Sequence, residues 1–434
     1  MRFEVKCKQL DELGRGICYV QNRKVVCQGL LEGEKALIDV DKNHVSIIEI
    51  LESSNDRVQF NCPVFSKCGG CQLSIMSYKK ECELKTQQMR KLFPNHEVPA
   101  ILGAQKTKKY RNKVIASFSR GAKGKIIAGQ YIANTHHVVS STMCVYQPDL
   151  ANQIIKTCCA LMEKFKIAPY DEDKKRGYLR HVLIRLSSFD KALVTLVSSV
   201  ADFPERKRFM SELRKAHPQI ETIITNVNTR SNSAVLSEKE LIGVGQGFIE
   251  DVLCGKKFRI SSSTFYQIHH EQTEILYKKA IEMAELKGTE RILDAYCGIG
   301  TISLIASDHV KEAVGVEINK ASIRNAIMNA KLNGVHHCRY LAEDCTQFML
   351  KAAQMKEKFD VVFMDPAREG STPEFLKALS TLKPEKIIYI SCNPETQKRD
   401  AAVLKKHGYH IRRVQPVDMF PRTLHVENIL LLTQ

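Results

Sequence analysis

From about Lys256 to the end, short apolar runs alternate with helix-length segments: RILDAY, AVGVEI, HCRYLAED, FDVVFMDP and KIIYISCNP, then YHIRRVQPVDMF and ENILLLTQ. Apolar strands alternating with helices predict a mainly parallel, doubly wound α/β sheet, because parallel neighbours need a crossover that covers a sheet face. Ligands of such a sheet belong at the C-terminal ends of its strands.

The chain has 434 residues, enough for about three domains at roughly 150 residues each. With 44% hydrophobic and 26% charged residues it can build several cores, which excludes a disordered or collagen-like polymer. Residues 1–54 read as five short strands, FEVKC, GICYV, KVVCQ, KALIDV and VSIIEIL, separated by Gly14, Gly16, Gly29, Gly33 and Asn43. That pattern predicts a small β-barrel. Residues 55–255 open with cysteines and mix helices with runs such as HVLIRLSS and ALVTLVSSV, an α+β domain with a long helix over Ser74–Phe93. Residues 256–434 form the third unit.

The longest stretch free of Asp, Glu, Lys and Arg, Ile126 to Pro148, is laced with Gln, Asn, Thr, His and Ser, so no membrane span is expected. The opening MRFEVKCKQLDELGRG lacks a secretory apolar block, and Glu4, Asp11 and Glu12 argue against a transit peptide. A cytoplasmic location is expected, where clustered thiols among the 15 cysteines point to metal or chemistry more than to disulfides. The net charge of +17 calls for an anionic partner. Between Glu97 and Asp149 there is no acidic residue, while Lys106, Lys108, Lys109, Arg111, Lys113, Arg120, Lys123 and Lys125 fall there with Tyr110 and Phe118 among them. This predicts a phosphate-binding surface; the plainer alternative is a solvated basic hairpin.

The first strand of the C-terminal unit runs into Asp294-Ala-Tyr296-Cys-Gly298-Ile-Gly300-Thr301, and Glu317 closes the second strand 23 residues after Asp294. A glycine turn followed by a carboxylate for ribose hydroxyls describes a nucleoside crevice. Ser303 stands where a dinucleotide fingerprint has its third glycine, and Asp294 would repel a pyrophosphate. The same carboxylate suits an ammonium and a sulfonium, which favours S-adenosylmethionine. Asp344 and Asp365 add acidic groups at two further strand ends, although Asp344 has the alternative role of a helix N-cap.

In Tyr389-Ile-Ser-Cys392-Asn-Pro394 a strand runs into a helix whose first turn holds proline, which puts Cys392 beside a helix N-terminus and predicts a lowered thiol pKa. Glu427 immediately precedes the apolar final strand, where partial burial raises a carboxyl toward a usable base. Finally, Cys62, Cys68 and Cys71 form C-x₅-C-x₂-C, with Cys144 as the distant fourth ligand. On spacing alone zinc leads.

The segments MDPAREG, ISCNPETQKRD and DMFPRTLHVENILLL resemble the RNA uracil-5-methyltransferase family in content, order and spacing. The resemblance spans nearly the whole chain and is strongest from Ser262 onward. Leu10-Asp11, Gly14, Gly16 and Gly33-Glu34 resemble a TRAM domain, an RNA-binding relative of the OB-fold. The implied fold is multi-domain: an N-terminal TRAM/OB-like β-barrel, a central α+β Fe-S domain, and a C-terminal α/β Rossmann-like methyltransferase domain dependent on S-adenosylmethionine. The resemblance makes Cys392 the nucleophile and Glu427 the base, and lines the cofactor pocket with Gln267, Tyr296, Thr301, Glu317, Asp344 and Asp365. It replaces zinc by a [4Fe-4S] cluster on Cys62, Cys68, Cys71 and Cys144. One departure is His269, which stands where the family leads one to expect Asn.

The chemistry asks for the same residue types. Carbon 5 of uracil is a poor nucleophile until a thiolate adds at carbon 6, and a base must later take the carbon 5 proton so that the thiolate can leave. Arg368 is a candidate for the developing oxyanion. The base must leave its stack, so single-stranded or flipped RNA is the expected partner. Large-subunit (23S) ribosomal RNA is favoured over transfer RNA, and a monomer is expected. The alternatives are a transfer-RNA enzyme, a 5-methylcytosine enzyme, and a non-catalytic Fe-S RNA-binding assembly factor.

Overall fold

The computed structural model describes residues 1–11, 13–41, 44–132, 135–230 and 234–434. Glu12 and Asn43, used above, lie outside them.

The C-terminal alternation folds into one seven-stranded sheet. Its strands in chain order are Arg291–Ala295, Glu312–Glu317, Cys338–Ala342, Val361–Met364, Lys386–Ser391, His410–Val417 and Glu427–Thr433. In space they run third, second, first, fourth, fifth, seventh, sixth. All neighbours are parallel except the seventh strand, which is antiparallel to both the fifth and the sixth. Strand order therefore reverses between the first and fourth strands, the place where such sheets open a ligand crevice. Alternate residues feed opposite faces: Ile292 packs with Ile302 and Ile323 on one side, and Leu293 with Phe348, Phe375 and Leu404 on the other. The helix His270–Ala284 joins the first of these cores through Leu276, Tyr277 and Ala280.

The middle of the chain forms a second seven-stranded, mixed sheet. Its long central strands Leu179–Leu186 and Ala192–Ser198 are buried on both faces, which explains their continuous apolar runs. One face is covered by the helices Asp149–Lys164 and Arg206–Ala216. The other contributes Leu193 and Ile224 to the core of the C-terminal unit, with the hairpin of strands Phe248–Leu253 and Lys256–Ser261 between them.

At the N-terminus the five expected strands are present, with a sixth, Gln9–Leu10, making two three-stranded antiparallel sheets over a core of Val5, Cys7, Cys18, Cys27, Leu30, Ala36 and Ile38. The long helix is shorter than expected, Tyr78–Leu92, because the Ser77 side chain caps it by accepting from the Lys80 N–H, while the preceding residues turn back on themselves. Among the described residues no helix is long and apolar enough to cross a membrane.

Most cations of the basic stretch are exposed, and part of the stretch turns inward. Arg111 turns inward to the Gly70 carbonyl, Lys113 is pushed down to about 8, mainly by burial, and Tyr110 and Phe118 are core side chains. Lys106 and Lys109 pair with Glu271 and Asp149. Lys108, Arg120, Lys123 and Lys125 remain exposed, the last three around the tip of the hairpin formed by strands Lys113–Arg120 and Ile126–Tyr131. The residues that an extended basic run lends to solvent are here divided between solvent and a folded interior.

Candidate active site

The crevice begins at Asp294. Its side chain is buried, and one carboxylate oxygen accepts from the Ser303 N–H at 2.9 Å while the other, Oδ1, has no hydrogen-bond partner. Burial, reinforced by nearby Glu317, pushes its pKa up to about 6. The turn that follows puts Tyr296, Gly298 and Gly300 at positive φ (63°, 55° and 78°). At Gly300 a Cβ would stand 2.8 Å from the Tyr340 ring, so only glycine brings the turn this close to the third strand. Thr301 opens the next helix. Tyr296 is held by a 2.7 Å hydroxyl contact with Ser371 and packs on Phe375.

Glu317 ends the second strand, with one oxygen accepting from the Asn319 N–H and the exposed apolar side chain of Ile318 (67%) beside it. Asp344 takes the alternative role foreseen for it: it caps the helix Cys345–Gln354 by accepting from the Gln347 N–H at 3.0 Å. Asp365 follows the fourth strand, and its pKa is pushed up to about 7 by burial and then by Asp294. Gln267 is buried at the end of the loop after Lys256–Ser261, its carbonyl held by the Asn112 amide. Tyr277, which sequence reasoning missed, stands among Asp365, Gln267, Glu427 and Asp294. Its place on an amphipathic helix gave no signal to separate it from core.

Cys392 and Glu427 meet across the fifth and seventh strands. Ser391 pairs with Asn428, so the next residue on each side of that register is Cys392 and Glu427. The Gln397 side chain fixes the junction, donating to the Tyr389 and Asn428 carbonyls and accepting from the Asn428 amide. Glu427 is 1% exposed, its Oε2 has no partner, and burial followed by Asp365 pushes its pKa well up. The expected lowering of the thiol pKa is overturned: Cys392 is pushed up to about 11 by burial first, then by Glu427 and Asp365, with Arg368 acting the other way. Two carboxylates brought from other strands outweigh the helix N-terminus, which Asn393 already caps.

The loops around this pair are fastened elsewhere. Asn393 and Thr396 donate to the Arg368 carbonyl, and Asp400 accepts from the Ser371 N–H and the Tyr389 hydroxyl. Lys85, fully buried, bridges Glu81 (2.8 Å) and Asp418 (2.7 Å), and Asp418 also accepts from the Tyr78 hydroxyl. The segment between Asp418 and Glu427 is thus clamped to the helix Tyr78–Leu92. A cavity of about 560 Å³ opens at Cys392 between this segment, that helix and the N-terminal unit, with Leu10, Asp11, Gln88, Arg368 and His425 in its walls.

Among the described residues no group of three or more His, Cys, Asp or Glu side chains is arranged to hold a metal ion. Cys62, Cys68, Cys71 and Cys144 nevertheless share one neighbourhood: burial, then Cys144, Cys68 and Cys62, push Cys71 up to about 11. Arg111 faces Cys144 and Cys71, and Tyr110, Tyr146, Phe60 and Phe65 wall the group. His269 also finds its place. It is buried, caps the helix His270–Ala284 by accepting from the Gln272 N–H, donates from Nε2 to the Lys106 carbonyl, and stacks on Tyr110. The cap is the role an Asn, expected at this position from the resemblance, would equally fill.

Comparison with known proteins places this geometry. The family model described as tRNA (uracil-5-)-methyltransferase matches residues 77–434. An uncharacterized RNA methyltransferase of Clostridium tetani is 36% identical over 431 residues, covering 97% of this chain and 94% of that one. Another, of Halalkalibacterium halodurans, is 34% identical over 441 residues, covering 99% and 96%. Among solved structures, the Pyrococcus abyssi tRNA (uracil-54, C5)-methyltransferase in complex with S-adenosyl-L-homocysteine shares the fold, with a TM-score of 0.79 over the whole of both chains at 23% identity. The chain belongs to the tRNA (uracil-5-)-methyltransferase family, enzymes that use S-adenosylmethionine to methylate uracil in RNA.

Proposed function

We propose that the protein methylates carbon 5 of a uridine through a covalent adduct between Cys392 and carbon 6 of the ring, with Glu427 removing the carbon 5 proton. The observation that carries this reading is the register that sets Cys392 against Glu427, both beside Asp365. Thiolate addition forms the S–C6 bond and moves the ring electrons toward carbon 5. S-adenosylmethionine, when bound, supplies the methyl group that carbon 5 takes. Glu427, buried and with an unpartnered oxygen, accepts the carbon 5 proton, and the electrons of that C–H bond expel the Cys392 sulfur. Arg368 bears on the thiol with its positive charge and is the candidate to steady the oxyanion.

The residues present fit the cofactor. Asp294 Oδ1 is buried without a partner, which an ammonium or hydroxyl donor would satisfy, and Gly298 has no atom within 4 Å of where its Cβ would be. Gln267, Tyr296, Gly300, Thr301, Glu317 and Asp365 line the same crevice in our reading. Asp344 contributes from its helix cap, where the oxygen not used by Gln347 is left to a ligand donor.

Cys62, Cys68, Cys71 and Cys144 fit a [4Fe-4S] cluster. The four thiols are neighbours of one another, four thiolates are a ligand set for such a cluster, and Arg111 offsets their charge. Its role is structural: Leu73 donates to the Arg422 carbonyl and Tyr110 to that of Pro421, both in the segment leading to Glu427. We further propose three units, 1–54, 55–255 and 256–434, the first a TRAM-like barrel. The barrel and the thiol group support large-subunit ribosomal RNA as the target; transfer RNA, named in the family description, is the competing substrate.

The deciding experiment offers unmodified 23S ribosomal RNA and transfer RNA with methyl-labelled cofactor and maps the labelled nucleoside. 5-Methyluridine in ribosomal RNA is the expected result. Label in transfer RNA alone would overturn the target and leave the chemistry standing; no label in either would favour a non-catalytic assembly factor.

A further inference from the structure

The helix Arg206–Ala216 lies on the face of the central sheet turned away from the catalytic unit, packed through Phe209, Met210 and Leu213. Along its outer side Lys207, Ser211 and Arg214 repeat at helical spacing, followed by Lys215. Between this side and the edge strand Glu240–Val244 runs a groove of about 830 Å³. The strand comes this close because residue 243 is glycine: a Cβ there would stand 2.4 Å from the Met210 sulfur.

The groove's chemistry is one-sided. Four cations line it, Arg206, Lys207, Arg214 and Lys215, and no carboxylate and no aromatic ring does. Arg206 is engaged by Asp202, but Lys207, Arg214 and Lys215 are exposed and have no ion pair or hydrogen bond among the described residues. The acidic residues of this helix face elsewhere, Glu212 toward Lys164 on the neighbouring helix. The edge strand adds an unpaired side of backbone N–H groups and the exposed side chain of Ile242 (58%).

We propose that this groove is a second RNA-binding surface, holding the phosphate backbone of the substrate at a distance from the uridine being methylated. The proposal rests on RNA being the substrate. Unpaired cations without acidic neighbours complement a polyanion, and the absence of aromatic side chains leaves no platform for stacked bases. The groove therefore grips backbone without reading sequence, and Ile242 packs against sugars. An acidic peptide added to the edge strand is the competing occupant, and it fails the test below.

The test reads binding, not turnover, so failure to form 5-methyluridine would leave it intact. Fluorescence anisotropy with a plain double-stranded RNA of about 20 base pairs, titrated at several salt concentrations, compares the wild-type protein with Lys207→Glu/Arg214→Glu/Lys215→Glu. The charge-reversed protein, shown to be folded by circular dichroism, should bind at least tenfold more weakly, and the slope of log affinity against log salt should shrink by about two units. Lys207→Arg/Lys215→Arg should keep both. An unchanged affinity and slope after charge reversal would overturn the proposal, as would equal weakening by the charge-conserving pair.

Discussion

Cys392 faces Glu427 one step beyond the Ser391–Asn428 pair, at the end of an antiparallel ladder set into an otherwise parallel sheet. A parallel neighbour would reach the same sheet edge from a separate crossover; the antiparallel strand instead brings its first residue, Glu427, beside the residue that follows the last one of the neighbouring strand. The carboxyl is thus held by backbone pairing with Val417, and the thiol by the paired Ser391 just before it. The arrangement has a cost, since burial first and then the same carboxylates push the Cys392 thiol up to about 11.

The pH dependence follows from that cost. The reactive thiol must lose a proton, and its pKa lies above neutrality in the folded protein. Glu427 is also pushed up, and it too must be free to accept. We expect kcat/KM to climb with pH from about 6 to 9, by about tenfold per unit where only the thiol is still protonated and by up to a hundredfold per unit where Glu427 is too, with no falling limb in that window. Stopped assays across that range check this; a bell centred near pH 7 would mean that Cys392 is ionised by some group other than those seen here.

Buried carboxylates also make the fold pH-sensitive. Asp294 and Asp365 have folded values near 6 and near 7, above those of an unfolded chain. Between about pH 4 and 7 the native state holds the extra protons, so their contribution to stability is whole below pH 4 and is lost as pH rises through the folded values. Asp365→Asn should therefore raise stability at pH 8 by something on the order of 1–3 kcal/mol, and hardly at all at pH 4. Thermal denaturation at the two pH values decides; equal shifts at both would point to packing instead.

Much of this architecture was written locally. The alternation after Lys256, the Asp294–Gly300 turn and the Cys392 and Glu427 segments are each carried by a few consecutive residues. What escaped the sequence joins residues far apart: Lys85 meets Asp418 across 333 positions, and Gln397 ties Tyr389 to Asn428. The thiol pKa was misjudged for the same reason, because a local helix N-terminus is visible in sequence while Glu427 and Asp365 arrive from other strands. Within the basic run, nothing in a string of letters marks Arg111 and Tyr110 as inward-facing.

Lys85 is the buried charge whose loss should be felt most. Removing it leaves Asp418 without a cation among the described residues and Glu81 with only the Arg422 guanidinium, 3.5 Å away, which costs about 3–5 kcal/mol for pairs of this kind. Lys85→Met should lower the thermal midpoint sharply and loosen the segment up to Glu427. Adding Glu81→Gln and Asp418→Asn should recover most of the loss, because both stranded carboxylates are then neutral while Arg422 keeps its hydrogen bond to the Met76 carbonyl. If the triple variant is no more stable than Lys85→Met, packing of the lysine stem is what the site needs.

The thiol group can be tested apart from catalysis. Anaerobically purified protein should be brown and carry about four irons with acid-labile sulfide. Replacing Cys62, Cys68, Cys71 or Cys144 singly by Ser should each remove the colour, whereas Cys158→Ser, buried in the central core, should not. Stoichiometric zinc without iron or sulfide would reject the cluster.

The two ends of the covalent cycle separate cleanly by substitution. Without Cys392 no ring carbon is activated, so Cys392→Ala should bind RNA and cofactor while product formation falls on the order of 10³-fold or more. Glu427→Gln keeps the shape of the side chain but replaces an accepting oxygen by a donating amide and cannot accept the carbon 5 proton. Addition and methyl transfer still proceed, and the proton left on carbon 5 blocks expulsion of the sulfur. A methylated protein–RNA adduct should accumulate and survive denaturing electrophoresis, and the double variant should lose it. The amide also removes a buried carboxyl beside Asp365, so the trapped protein should be no less stable than the parent at pH 8. Full turnover by Glu427→Gln would take the base role away from this residue; an adduct persisting in Cys392→Ala would send the nucleophile to another thiol.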